Sequence, residues 1–390
     1  MIIAFWVGLF IIVYTYIGYG IVLYVLVKVK RLLKKRIPLD KDKHFPTVSI
    51  LIAAYNEEDL ISEKIANTLA LYYPKEKIQL IVITDGSTDL TVKKVSEFPD
   101  VVHLHKDQRG GKMAAIKRAI PYITGEVLLF TDANTFLNKS AVSELVRHYQ
   151  NERVGAVAGE KRIMVEETAD ASSAGEGFYW KYESFLKKCD YELYSNVGAA
   201  GELFSIRTKL YEPVEADTII DDHMIAMRIA EKGFIIAYEP NAYALETASA
   251  NVKEELKRKV RIAAGGIQSI LRLRKAANPF RNTVLTFQYI SHRVLRWTLT
   301  PILLPTVFIL NGMIVYSGGL LLYRVLFLVQ CAFYILAYIG FYFERKNIRV
   351  KALFIPFYFC MMNYAVIAGI VRYSRKAQSA AWEKSVRKSA

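Results

Sequence analysis

The chain has 390 residues, is 53% hydrophobic and 23% charged, and carries a net charge of +15. Its basic residues cluster beside long apolar runs, which assigns the charge to anionic lipid headgroups and argues against nucleic acid as a partner. The three cysteines, Cys189, Cys331 and Cys360, are scattered, so neither a disulfide framework nor a zinc site is expected.

Residues 2–27 contain no charged residue, and such a run is long enough to cross a bilayer. It has no basic n-region and no small-residue cleavage site, so residues 1–27 read as an uncleaved anchor. Residues 28–46 follow as a basic linker with Lys28, Lys30, Arg31, Lys34, Lys35 and Arg36. By the positive-inside rule the next domain, residues 47–280, faces the cytoplasm.

That domain opens with a strand at 47–54, which ends in Tyr55-Asn56-Glu57-Glu58. From Glu57 to Leu71, the residues Leu60, Ile61, Ile65 and Leu69 form one helical stripe. A strand at 78–83 ends in Thr84-Asp85-Gly86-Ser87-Thr88-Asp89. A helix from about Leu90 and a short strand at 101–104 complete an alternating pattern, which predicts a doubly wound α/β fold. Lys106–Lys112, KDQRGGK, is a basic loop before a helix at 112–120. Gly110 and Gly111 permit close backbone approach, and Lys112 stands where a helix start favours an anion. With Met113 in place of Ser or Thr it is not a Walker A loop, and a solvated surface turn is the alternative reading.

The next apolar run, Val127–Phe130, stops at Thr131-Asp132-Ala133-Asn134. Ligands in open parallel sheets collect at the carboxyl ends of strands. Three strands that deliver carboxylates to one edge therefore predict a site for a charged ligand, together with a metal. Taken singly, Asp85 and Asp132 are also ordinary turn residues.

Residues 154–163 read as a strand, 173–189 as an aromatic-rich helix, and Gly198–Phe204 as a small-residue turn entering a strand. A helix starts near Asp222 and is ended by Gly233. Spacing alone makes Asp221 an N-cap and Asp222 a first-turn anion; the functional alternative makes one of them a general base. Adjacent helical side chains diverge by about 100°, so the two are not expected to share a proton. His103, His105 and His223 show no metal-ligand spacing. Residues 281–297, with Tyr289, His292, Arg293, Arg296 and Trp297, suit an amphipathic helix in the headgroup region.

Residues 298–375 hold three more apolar runs, near 298–317, 319–343 and 352–371, and 376–390 is a basic tail. Four full crossings from an outside N-terminus would leave that tail outside. Arg372, Arg375, Lys376, Lys384, Arg387 and Lys388 argue for the inside. Either one run is re-entrant or the first does not span, and a cytoplasmic tail is expected.

The motifs AAYNEE (53–58), TDGSTD (84–89), RGGK (109–112), TDAN (131–134), GELFSIR (201–207), DD (221–222) and RKVRIAAGG (258–266) occur in this order. In this the chain resembles membrane-bound family-2 glycosyltransferases with the GT-A fold, of the cellulose, hyaluronan and poly-N-acetylglucosamine synthase type. The resemblance implies a Rossmann-like GT-A domain in a multi-pass protein of the cell (inner) membrane. It implies that Tyr55, Glu57 and Asp85 hold the uridine of a UDP-sugar, and that Lys112, Arg258 and Arg261 approach its diphosphate. Asp132, with Asn134, would bind Mg²⁺ or Mn²⁺. Gly201, Glu202 and Asp221 would line the acceptor side, and Asp222 would be the base that deprotonates the acceptor hydroxyl. Inversion would give a β-glycoside on an envelope polysaccharide or a polyprenol-linked acceptor.

Two departures stand out. Asn134 replaces the second acid of the metal motif, and Arg258-Lys259-Val260-Arg261-Ile262 lacks the glutamine and tryptophan of the family's Gln-x-x-Arg-Trp signature. Two rival expectations are a processive exopolysaccharide synthase that also secretes its product, and a non-catalytic membrane assembly subunit that keeps the fold. The resemblance leaves the donor sugar and the oligomeric state open.

Overall fold

The computed structural model describes residues 1–33, 45–164, 171–247, 251–346, 348 and 350–378. The basic residues at 34–36 and 384–388 therefore lie outside the described residues.

The first apolar run is one long helix, α1 (Ile2–Leu33), with a π-helical turn at Tyr14–Gly18. The polar domain then alternates: β1 (Val48–Ala54), α2 (Ile61–Leu69), β2 (Ile78–Asp85), α3 (Thr91–Ser96), β3 (Val102–Lys106), α4 (Lys112–Ala119) and β4 (Val127–Asp132). It continues through β5 (Thr135–Leu137), α5 (Ala141–Val146), β6 (Val154–Ile163), α6 (Ala171–Leu193), β7 (Phe204–Arg207), α7 (Asp221–Glu231), β8 (Ile235–Glu246) and α8 (Val252–Arg272). A helix α9 (Thr283–Tyr289) runs through a π-helical turn, Ile290–Val294, to Trp297. Three apolar helices follow, α10 (Leu299–Tyr316), α11 (Leu321–Arg345) and α12 (Lys351–Ser374).

The strands form one eight-stranded sheet in the order β3-β2-β1-β4-β7-β6-β8-β5. β1, β2, β3 and β4 are parallel, whereas β7 runs antiparallel to both of its neighbours, β4 and β6. The register Ala53↔Asp132 and Ala54↔Thr84 brings the acidic strand ends to one edge. Side chains alternate between the two faces. Ile50, Ile52, Val82 and Leu129 pack with Ile61, Ile65 and Leu145 on one side. Leu51, Ile81, Ile83 and Phe130 pack with Ile116, Met224 and Met227 on the other. Each such side chain contributes about 1.5–3 kcal/mol.

Among the described residues four helices, α1, α10, α11 and α12, are long and apolar enough to cross a membrane. The base of α1 is fastened to α6: Lys30 Nζ donates to the carbonyls of Glu192 (2.9 Å) and Leu193 (2.7 Å), and Arg31 pairs with Glu192.

Two expectations change. Asp221 does not cap α7: Ile220 holds the N-cap position, and both acids are first-turn residues. The 281–297 segment is helical, but its polar side chains turn inward rather than towards headgroups. His292 Nδ1 lies 2.6 Å from Asp190, and Arg293 and Arg296 lie 2.9 and 3.0 Å from Glu183. Buried carboxylates require such partners, and that need overrides the amphipathic pattern.

Candidate active site

A cavity of about 460 Å³ lies at the carboxyl edge of the sheet, between the RGGK loop, the start of α7, α8 and α12. Asp132 ends β4, and Asp221 and Asp222 open α7. Lys112, the first residue of α4, joins them: its Nζ lies 3.1 Å from Asp132 Oδ1 and 3.3 Å from Asp221 Oδ2. Gly201 sits at the junction. A Cβ there would lie 3.5 Å from carboxylate oxygens of both Asp132 and Asp222, and 3.6 Å from Lys112 Nζ. Strand and helix thus bring together residues about 110 positions apart in sequence.

The electrostatics follow from crowding like charges under partial burial. Burial, then the neighbouring Asp221, pushes the Asp222 carboxyl up to about 7. Burial also raises Asp132, although Lys112 opposes the shift. Burial alone would lower Lys112, but Asp132, Asp221 and Asp222 outweigh it and keep the amine above its usual range. Arg261 lines the same cavity and faces the same three carboxylates, while burial lowers its guanidinium.

Asp85 is brought to the loop, and both its oxygens are engaged. Oδ2 accepts from the backbone N–H groups of Gly110 (2.8 Å) and Gly111 (2.7 Å), and Oδ1 from Arg118 (2.8 Å). In this arrangement Asp85 orders the RGGK loop. Tyr55 lies under the Arg109 guanidinium, 3.7 Å from ring centre to carbon. Glu57 is buried, and its backbone N–H donates to Thr91.

Arg258 lines the cavity but is held by acids from three elements. Its Nε lies 3.1 Å from Glu255, and its Nη1 lies 3.9 Å from Glu202 and 4.0 Å from Glu246. Lys161 joins the same cluster, 2.6 Å from Glu202 and paired with Glu246. Burial would raise Glu202, but Lys161 and Arg258 hold it well below the usual carboxylate range. Glu202 therefore stays charged and structural in this state.

The donor set fits a hard divalent cation. Asn134 Oδ1 is buried with no hydrogen-bond partner, and it follows Asp132 by two residues. Oxygen ligands of this kind suit Mg²⁺ or Mn²⁺ when a diphosphate supplies the others. Among the described residues no group of three or more His, Cys, Asp or Glu side chains is arranged to hold a metal by itself, so substrate oxygens are needed.

Several residues in or behind the cavity wall escaped the sequence reading. Lys64 is fully buried behind the Asp132 turn, and donates to Thr131 Oγ1 (2.8 Å) and to the Thr135 carbonyl (2.7 Å). Burial pushes its amine down to about 7. Trp180 and Trp297 line the cavity itself. Although Ile262 replaces the signature tryptophan, Trp297 reaches the cavity from the end of the α9 segment and packs on Gly266 and His223. His223, buried there near Arg293, is pushed down to about 3 and stays neutral.

The fold and the acidic edge define a GT-A type domain with apolar helices at both ends. A solved structure of similar fold is "Mannosyltransferase PcManGT from Pyrobaculum calidifontis in complex with GDP-Man and Mn2+". It superposes with a TM-score of 0.72 over 96% of this chain and 100% of that one, at 21% identity. Residues 49–212 match the model described as Glycosyl transferase family 2, so the chain carries a domain of that family. Over 236 residues it is 27% identical to a poly-beta-1,6-N-acetyl-D-glucosamine synthase of Staphylococcus aureus (strain MSSA476), covering 58% of this chain and 56% of the relative. Over 252 residues it is 27% identical to "Probable glycosyltransferase YdaM" of Bacillus subtilis (strain 168), covering 59% and 57%. The chain thus spans a little over half the length of these relatives.

Proposed function

We propose that the chain is an inverting, metal-dependent glycosyltransferase of the cell membrane, with residues 47–280 as a cytoplasmic catalytic domain. It moves a sugar from a UDP-sugar to an envelope glycan or a lipid-linked acceptor. The observation that carries this reading is the meeting of Asp132, Lys112 and Asp222 around Gly201.

Asp222, with a carboxyl near neutrality, takes the proton of the acceptor hydroxyl, as general-base efficiency favours. The freed oxygen attacks the anomeric carbon as the bond to the nucleoside diphosphate breaks on the opposite face, which inverts an α-linked donor to a β-product. Lys112 and Arg261 supply fixed positive charge towards the departing diphosphate. Asp132 and Asn134 would hold Mg²⁺ or Mn²⁺, which as a Lewis acid neutralises charge on that leaving group. Tyr55, with Arg109 stacked on it, offers a flat surface for the base, and Asp85 sets the loop beside it. The neighbour's complex with GDP-Man and Mn²⁺ supports nucleotide-sugar and metal, and makes the base itself a point to test.

A processive synthase is the second reading, favoured by the name of the S. aureus relative. Product length separates the two: single-sugar products support the first reading, and a ladder built in one encounter supports the second. The non-catalytic reading has no such support, whereas Lys112, Asp132, Asp222 and Arg261 all line one cavity. The test is nucleotide release by the purified chain across UDP- and GDP-sugars with Mg²⁺, Mn²⁺ or EDTA. Turnover with at least one donor, lost in EDTA, is expected. Absence of turnover with every donor, or turnover indifferent to EDTA, contradicts the proposal.

A further inference from the structure

The amine that is to meet the diphosphate is paired, in the structure, with carboxylates. Lys112 Nζ lies 3.1 Å from Asp132 Oδ1, to which it donates a hydrogen bond, and 3.3 Å from Asp221 Oδ2. The backbone from which it springs is pinned. Asp85 accepts from the N–H groups of Gly110 and Gly111, and Met113, Ala115 and Ile116 bury the adjoining face of α4. The freedom to change partner therefore lies in the side chain, a flexible stem that ends in a point charge. Gly201 leaves space beside that charge, since even a Cβ there would stand 3.6 Å from Nζ.

Two oxygens around the bridge are left short. Asp221 Oδ2, for all its closeness to Nζ, and Asn134 Oδ1 are both buried without a hydrogen-bond partner, whereas buried acceptors are normally met. Asp132, Asn134 and Asp221 line the same cavity. A hard divalent cation suits such oxygens. With Lys112 in place, however, it has to share Asp132 with an ammonium, and two cations on one partly buried carboxylate repel each other. A diphosphate changes the balance, because its oxygens offer the ammonium another anion to pair with.

We infer that Lys112 is a placeholder for the metal: its ammonium occupies Asp132 and Asp221 until a nucleoside diphosphate draws it away, so that the nucleotide binds before the cation. This rests on the metal-dependent transfer reading and deepens it. Lys112 is thereby a positioning residue that sets the order of binding, as well as a contact of the leaving group. Asp221 is the partner that keeps it in the resting position.

The experiment uses the purified full-length chain in detergent. Mn²⁺ binding without nucleotide is read from the electron paramagnetic resonance signal of the free ion. Lys112→Met is expected to bind Mn²⁺ about tenfold more tightly than the unaltered chain. Lys112→Met combined with Asp221→Asn loses an anion together with the cation, which keeps the local charge balanced for folding, and its Mn²⁺ affinity should also rise. Adding Asp132→Asn to either should abolish the gain. UDP and GDP are titrated by equilibrium dialysis, in EDTA and with Mn²⁺. The nucleotide that binds the unaltered chain in EDTA should bind Lys112→Met about tenfold more weakly. Mn²⁺ affinity that rises in neither Lys112 variant overturns the inference, as does a gain that survives Asp132→Asn. Nucleotide affinity in EDTA that is unchanged in Lys112→Met, or binding to the unaltered chain only when Mn²⁺ is present, overturns it too. Failure of both UDP and GDP to bind the unaltered chain under either condition contradicts the transferase reading instead, so the two failures are told apart.

Discussion

At Asp222, two demands conflict. A buried carboxylate beside Asp221 is unfavourable, yet a base must be able to take a proton near neutral pH. With its carboxyl raised to about 7, the group is protonated in more acidic solution, so the transfer rate should fall as pH drops through that value. A pH–rate profile with its acidic limb near 7 checks this; a limb near the ordinary carboxylate range contradicts it. Stability has the opposite dependence. The folded chain holds the Asp222 proton to higher pH than the unfolded chain, so stability is full below the usual carboxylate range and is lost as pH rises through about 7. Asp222→Asn should therefore raise the melting temperature at pH 8 more than at pH 4. Thermal melts of both proteins at the two pH values read the difference. Gly201 offers a second residue-scale test. A Cβ there makes only ordinary contacts, at 3.5–3.6 Å, so Gly201→Ala should fold with a stability change within about 0.5 kcal/mol. It should raise the KM for donor, because the methyl group occupies the junction of Asp132, Lys112 and Asp222. Unchanged KM would remove Gly201 from the site.

At the scale of elements, the turn between β4 and β5 depends on an amine hidden behind it. Lys64 on α2 ties Thr131 to the Thr135 carbonyl and so fixes the backbone that carries Asp132 and Asn134. Lys64→Met should cost about 1–3 kcal/mol, the usual penalty for a buried acceptor left unmet, measured by denaturant unfolding, and should weaken Mn²⁺ binding in the presence of nucleotide. Intact Mn²⁺ affinity with lowered stability would limit Lys64 to a structural role. The sequence was informative here in an uneven way. β1, β2 and β4 were legible because each is a short apolar run stopped by turn residues. β8 was not, since IIAYEPNAYALE contains a proline and breaks strict alternation. α8 was not read as an element, and its acids and bases pair with one another and with Glu202 and Glu246, residues distant in sequence. The resemblance implied that Arg258 approaches the diphosphate without revealing the acids that hold it, and Trp297 was read as an interfacial residue. Asp132 was marked as a candidate by its place at the end of an apolar strand, whereas Asp222 was singled out as a base only through the resemblance, since spacing alone favoured a first-turn anion.

At the scale of the whole molecule, α12 differs from the other apolar helices. Half of its most apolar stretch, 50%, is buried inside the protein, against 11% for α11. A helix that lies on α8 in this way need not cross the bilayer. Three crossings by α1, α10 and α11, from an outside N-terminus, would predict a cytoplasmic tail, in keeping with its charge. A reporter fused after residue 390 should score cytoplasmic, and a periplasmic or extracellular score would restore α12 as a full crossing. The packing also ties membrane to chemistry. Gly369→Leu should push α12 away from Val260 and Ala263, lower stability by about 1–3 kcal/mol, and slow transfer by displacing Arg261. Both are read on the same purified variant.

The most direct test of the account compares Asp222→Asn with the unaltered chain, measuring sugar transfer and nucleotide-sugar binding on the same preparations. Removing a general base typically costs about 10²–10⁴ in rate, so transfer should fall by that order while donor affinity is retained. Transfer at the original rate, or donor binding lost in step with activity, would contradict the assignment of Asp222 as the base.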